Sequence, residues 1–282
     1  MNEIENKKKK LYPRPGSLDM IEKYIPHLDC ELHYWYHKGN RNSYVFLLHG
    51  AGCDHRMFDH QLPLFDGNHH IIVWDARGHG RSTLKMGKPF LFDEMLSDLL
   101  KLYEVHGIEQ AILIGQSMGG NLAQELAHRH PEKVEKLVLI DCTRNTGCLT
   151  WTEHMILKFT RLIFGLYPWK TLIRLSADAC GTAMSTREYV RECFGRMEKR
   201  TFVDVMMSLM TCLHEDPSFR FSVPVLLLCG SEDKSGNIRK IVQSWAESEP
   251  HCDMYFIDGA GHNANQDRPD LVNKYIKKFI EI

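Results

Sequence analysis

Apolar residues gather along the chain in short runs with little polar alternation: residues 44–48 (YVFLL), 71–74 (IIVW), 111–114 (AILI), 137–140 (LVLI), 223–229 (VPVLLLC) and 254–257 (MYFI). Each run is too short for a helix and most are rich in Val, Ile and Leu, the pattern of strands covered on both faces in a parallel sheet. Between the runs, apolar positions recur at helical spacing. Residues 92–106 carry Met95, Leu96, Leu99, Leu100 and Tyr103 in this way, and residues 121–130, 237–247 and 269–282 read similarly. Strand and helix alternate, which predicts a doubly wound, mostly parallel α/β sheet whose ligands bind beyond the carboxyl ends of the strands. Ahead of the series, residues 27–38 (HLDCELHYWYHK) partly alternate and predict an antiparallel edge strand or hairpin.

After residue 141 the rhythm breaks. Residues 143–216 hold no convincing strand, and Trp151, Met155, Phe159, Leu162, Ile163 and Phe164 give them a helical cast. A structureless connection of that length is rare in a compact domain, so a helical cap insertion over the sheet is expected. The chain then divides into an N-terminal extension (1–26), a core (27–142 and 217–282) and the cap (143–216). With 282 residues, the alternative is two modest domains.

Composition narrows the function more than the fold. The chain is 43% hydrophobic and 25% charged, which excludes a disordered, collagen-like or coiled-coil polymer. Its 35 Lys and Arg nearly balance 36 Asp and Glu, so no global field favours nucleic acid. Nine scattered cysteines without a C-x-x-C pair point to a reducing, cytoplasmic setting. The lysines at 7–10 resemble the start of an export signal, but residues 11–16 (LYPRPG) supply no apolar stretch after them. No run approaches a transmembrane span.

The chemistry concentrates at strand ends. Gly115-Gln116-Ser117-Met118-Gly119 follows one buried run and opens a helix. A G-x-S-x-G pentad arises by chance in roughly one chain in ten of this length, but this placement suits a sharp turn that lifts a serine hydroxyl above the sheet at the positive end of a helix. A serine needs a base, and the base an orienting acid. His262, in Gly259-Ala260-Gly261-His262, and Asp233, in Gly230-Ser231-Glu232-Asp233, each follow a later run, in the order Ser, Asp, His. Asp141, also at a strand end, is a rival acid. His49-Gly50-Ala51-Gly52 follows the first buried run, so the Ala51 N–H and the Met118 N–H are candidate oxyanion donors, with His49 bracing its loop. Asp54, His55, Asp59, His60, His69 and His70 invite a metal reading, but they match no H-E-x-x-H pattern. Neither a metal nor a cofactor is expected.

Taken together, HGAG (49–52), DARGHGRS (75–82), GQSMGG (115–120), GSED (230–233) and GAGH (259–262) resemble the α/β-hydrolase superfamily from about Leu32 to the C-terminus, outside residues 143–216. The layout is similar to small serine esterases, C–C bond hydrolases, enol-lactonases and monoacylglycerol lipases. The resemblance implies a nucleophile elbow at Ser117, a catalytic triad with Asp233 and His262, and an oxyanion hole at Ala51 and Met118. It implies structural roles for Asp75 and Arg77, with Ser82 not the nucleophile. The expected substrate is a small to medium, largely apolar ester, because no evident basic cluster in the cap would hold an anion, unless Arg161, Arg174, Arg187 or Arg191 faces inward. A β-diketone C–C hydrolase or lactonase would use the same three residues, and a non-catalytic ligand-binding member of the fold would retain them. An acidic cap residue would be needed for an aminopeptidase. Residues 151–169 also have the makings of an interfacial helix touching a membrane, with an ordinary cap helix as the plainer expectation.

Overall fold

The computed structural model describes residues 18–65 and 67–281; the lysines at 7–10 lie outside them. Eight strands form one sheet: β1 (Ile21–His27), β2 (Cys30–His37), β3 (Tyr44–Leu48), β4 (His70–Trp74), β5 (Ala111–Gln116), β6 (Val134–Ile140), β7 (Val225–Gly230) and β8 (Cys252–Ile257). Their spatial order is β1-β2-β4-β3-β5-β6-β7-β8. The β1–β2 and β2–β4 pairs are antiparallel, and every pair from β4 to β8 is parallel. The hairpin thus begins at Ile21, inside the stretch assigned to the N-terminal extension. Its first strand, IEKYIPH, is an edge strand with no fully buried residue, so it has no apolar run to announce it.

The parallel strands alternate between two apolar layers. Phe46, Leu48, Ile72, Trp74, Leu113 and Leu227 face α1 (Phe92–His106), α2 (Met118–Arg129) and α7 (Ile238–Ser248). Val45, Leu47, Ile71, Ile114, Val138 and Leu228 face α9 (Pro269–Ile280) and part of the insertion. Because each face is covered, both sets of side chains are apolar, and the runs lack polar alternation. Between β6 and β7 lie α3 (Trp151–Leu166), α4 (Trp169–Cys180), α5 (Met184–Gly195) and α6 (Lys199–Ser208). Leu172, Ala177, Val190, Phe194 and Phe202 pack into the second apolar layer. On α3, by contrast, Trp151, Phe159, Leu162, Ile163 and Leu166 are exposed. Among the described residues no helix is long and apolar enough to cross a membrane.

The loop after β4 is built by charge. Asp75 Oδ1 accepts the His55 N–H at 2.8 Å and Oδ2 accepts the Arg81 N–H at 2.7 Å. Ser82 Oγ donates to the Asp75 carbonyl at 2.6 Å and accepts the His33 N–H at 2.8 Å, so its hydroxyl is committed to structure. Arg77 is fully buried, donating to both oxygens of Asp98 at 2.6 and 2.9 Å and reaching Asp29 and Glu94. Removing one partner of such a network strands the other charge. Arg77→Met is therefore expected to destabilise the fold by about 3–5 kcal/mol, read as a lowered midpoint in urea unfolding.

Candidate active site

The elbow is a consequence of crowding. β5 runs straight into α2 through Ser117, whose backbone holds φ 50 and ψ −117. That is a strained left-handed conformation for a residue with a side chain. The turn is tight enough that a methyl on Gly119 would lie 1.9 Å from the Leu48 carbonyl oxygen. Only glycine permits this approach of α2 to β3. Ser117 is fixed by its N–H to the Ile140 carbonyl at 2.9 Å and by its own carbonyl, which accepts from Asn121 N–H at 2.9 Å.

Two distant segments converge on this turn. His262 Nε2 lies 3.0 Å from Ser117 Oγ, and His262 Nδ1 lies 3.0 Å from Asp233 Oδ2. Asp233 Oδ1 accepts the Ser235 N–H at 2.7 Å, which aims the carboxylate. Burial pulls the His262 imidazole toward a lower pKa, but the hydrogen bond and charge of Asp233 more than offset it, and the net shift is upward. Asp233 moves the other way: burial raises it, and the bond and charge of His262 hold it below the ordinary carboxylate value.

Asp141 sits beneath the convergence and is not the imidazole's hydrogen-bond partner. It is buried, with φ 47; Oδ1 accepts the Gly230 N–H at 2.7 Å and Oδ2 the Ala264 N–H at 2.9 Å. Burial and the nearby Asp233 charge push its pKa well up. This carboxyl therefore splices the loop bearing Asp233 to the loop bearing His262. Asp141→Ala would orphan two buried N–H groups at about 1–3 kcal/mol each, a loss measurable by urea unfolding.

The loop after β3 passes beside the serine: a methyl on Gly50 would lie 3.3 Å from Ser117 Cβ. Among the described residues, neither the Ala51 N–H nor the Met118 N–H finds an acceptor. His49 is a brace, donating from Nδ1 to the Gly50 carbonyl at 2.8 Å and accepting the Ala76 N–H at Nε2 at 2.9 Å. Both ring nitrogens are used in the neutral form, and burial lowers its pKa accordingly. Gln116 was not singled out from the sequence, yet its Nε2 donates to the His262 carbonyl at 2.7 Å. A polar residue closing a wholly buried strand was the signal available.

The acids and histidines after HGAG are drawn to separate partners. Asp54 binds Arg56 at 2.7 Å, and that bond, with His55, brings its pKa to about 2 despite burial. His55 contacts Asp75 at 2.8 Å and stacks on Trp35, while His70 meets Tyr36. A different group, Glu125, His128 and His214, has ligand atoms within 4.8 Å of one another. Its carboxylate is already shared between Arg129 and His214, and the two imidazoles stack rather than converge. In the insertion, Arg161 pairs with Asp204, Arg187 donates to the Gly181 carbonyl, Arg191 contacts Asp178 and Arg174 is exposed. Glu153 holds Asn237, and Glu192 meets Arg56. A cavity of about 250 Å³ lies beside the loop after β3, lined by Gly52, Cys53, Leu84 and Thr201 among others, and its lining includes neither Ser117 nor His262.

Known proteins share this arrangement of chain. The AB hydrolase superfamily protein YfhM of Bacillus subtilis (strain 168) is 26% identical over 261 residues, covering 84% of this chain and 90% of that protein. The 3-oxoadipate enol-lactonase 2 of Acinetobacter baylyi is 23% identical, covering 90% and 94% respectively. Among solved structures, the enol-lactonase of Burkholderia xenovorans LB400 superposes with a TM-score of 0.78 at 21% identity, over 92% of this chain and all of that one. The pattern of the Alpha/beta hydrolase family matches residues 45–275, from the first parallel strand to the last helix, and the chain belongs to that family.

Proposed function

We propose that the protein is a serine hydrolase acting on carboxylic esters of small to medium, largely apolar substrates. The observation that carries this reading is the continuous relay from Ser117 Oγ through His262 to Asp233, with both contacts at 3.0 Å. In it, His262 Nε2 takes the Ser117 proton as Oγ attacks the ester carbonyl. The oxyanion is received by the Ala51 and Met118 N–H groups, helped by the positive end of α2. His262 then protonates the departing alcohol. A water molecule, deprotonated by the same imidazole, adds to the acyl carbon, and His262 hands the proton to Ser117 Oγ as the acyl–oxygen bond breaks and the acid leaves. Helices α3–α6 act as the cap. The preference for uncharged substrates is supported by the engagement of Arg161, Arg187 and Arg191 elsewhere.

A second reading, lactone opening by the same residues, is favoured by the relative named 3-oxoadipate enol-lactonase 2. A kinetic panel separates the two: p-nitrophenyl butyrate, an enol-lactone and a vinylogous diketone, run beside labelling by a fluorophosphonate probe. Esterase action predicts fastest turnover of the butyrate and a probe adduct on Ser117. Faster turnover of the lactone or diketone moves the assignment to that substrate. Binding of esters with neither turnover nor adduct overturns the enzyme reading.

A further inference from the structure

His262 is held by its own loop, and that loop is fastened to the cap. Asp267, at the end of α8 (Ala264–Asp267), accepts the Gly261 N–H at Oδ2 at 2.8 Å, one residue before the imidazole. The same oxygen accepts the Thr182 N–H at 2.8 Å, and Oδ1 accepts the Ala183 N–H at 3.0 Å. Both donors belong to the turn between α4 and α5. Two further bonds close the joint: Thr182 Oγ1 donates to the Gly259 carbonyl at 2.8 Å, and Asn263 N–H donates to the Cys180 carbonyl at 2.7 Å. The backbones are nearly in contact, since a methyl on Gly261 would lie 3.2 Å from Gly181 Cα.

We propose that Asp267 is a positioning residue for His262, coupling the seating of the α4–α5 turn of the cap to the alignment of the imidazole between Ser117 and Asp233. One carboxylate spans the two moving parts, and hydrogen bonds to a charged acceptor are stronger than neutral ones. Of the residues flanking His262, Asn263 is bonded across the joint directly and Gly261 through the Asp267 carboxylate, so a lifted turn drags the base with it. A displacement near 1 Å is enough to cost about 100-fold in rate. Substrate entry that raises the cap would therefore switch the base off, and reseating would restore it. The inference rests on His262 being the general base.

The test compares Asp267→Asn, Asp267→Ala and Ala183→Pro with wild type and His262→Ala. Ala183 has φ −74, which proline adopts without strain, so Ala183→Pro removes one donor and leaves the carboxylate in place. Expected for Asp267→Asn is a fall in kcat of about 10- to 100-fold with KM within about twofold. The pH inflection of kcat/KM should also move toward the ordinary histidine value. Ala183→Pro should act in the same direction but less, and should speed hydrogen exchange in residues 180–183 and 259–263 together. If the Asp267 variants do not fold, Ala183→Pro decides alone. Loss of thermal stability with kcat and the pH inflection unchanged would overturn the proposal, as would faster exchange confined to residues 180–183. Full turnover by His262→Ala would instead overturn the assignment of the base, a result distinguishable from either.

Discussion

Ser117→Ala is expected to remove ester turnover by roughly 10^4- to 10^6-fold and to abolish labelling by a fluorophosphonate, while the urea midpoint stays close to wild type. The asymmetry follows from where the hydroxyl sits. Ser117 Oγ has one partner, His262 Nε2, so its loss orphans a single nitrogen that water can reach once the oxygen is gone. The backbone that sets the elbow is secured independently, through the Ile140 carbonyl and the Asn121 N–H. Alanine leaves those bonds in place but keeps the φ 50 strain, so folding should be nearly unaffected. Gly119→Ala is the informative contrast, because the added methyl meets the Leu48 carbonyl and attacks the fold itself. Persistence of p-nitrophenyl butyrate turnover in folded Ser117→Ala would refute the nucleophile assignment outright.

The parallel part of the sheet was legible because burial on both faces leaves no polar residue in β3, β5 or β7 except at their ends. The strand ends were legible for a related reason: glycine clusters mark where backbones must approach, and Ser117, Asp233 and His262 each stand beside one. What stayed hidden is whatever depends on long-range contact. Strand β1 pairs along its whole length with β2, yet as an edge strand it carries no hydrophobic signature. Asp141 and Asp233 both follow buried strands, and the sequence could put Asp233 first but not dismiss Asp141, because their roles differ only in which neighbour each carboxyl meets. Asp267 looks like an ordinary helix-end acid, and its partners lie 84 and 85 positions away. The inner surface of helices α3–α6 was the least legible part, since their aromatic residues divide between packing and solvent according to a rotation of each helix that periodicity leaves free.

Activity should rise with pH through an apparent pKa above the ordinary histidine value of 6.5, since the base must be neutral and the fold favours its charged form. Asp233→Asn removes the bond and the charge that do most to raise His262, leaving burial opposed only by the lesser pull of the nearby Asp141 carboxyl. The inflection should then drop below 6.5, and kcat/KM on the plateau should fall by on the order of 10^4-fold, because an amide no longer fixes the tautomer. Stability runs opposite to activity. The raised His262 pKa contributes stability in full below its unfolded value of 6.5, and this is lost as pH climbs through the folded value. The lowered Asp233 pKa contributes above the unfolded value of 3.8 and is lost as pH falls through the folded one. The pair is therefore most stabilising between 3.8 and 6.5, under conditions where the base is protonated and idle. Urea unfolding of wild type and Asp233→Asn at about pH 5.5 and about pH 9 should show the larger difference at the lower pH. An equal difference at both, together with a wild-type rate profile flat across the histidine range, would mean that His262 and Asp233 do not titrate as a coupled base and acid.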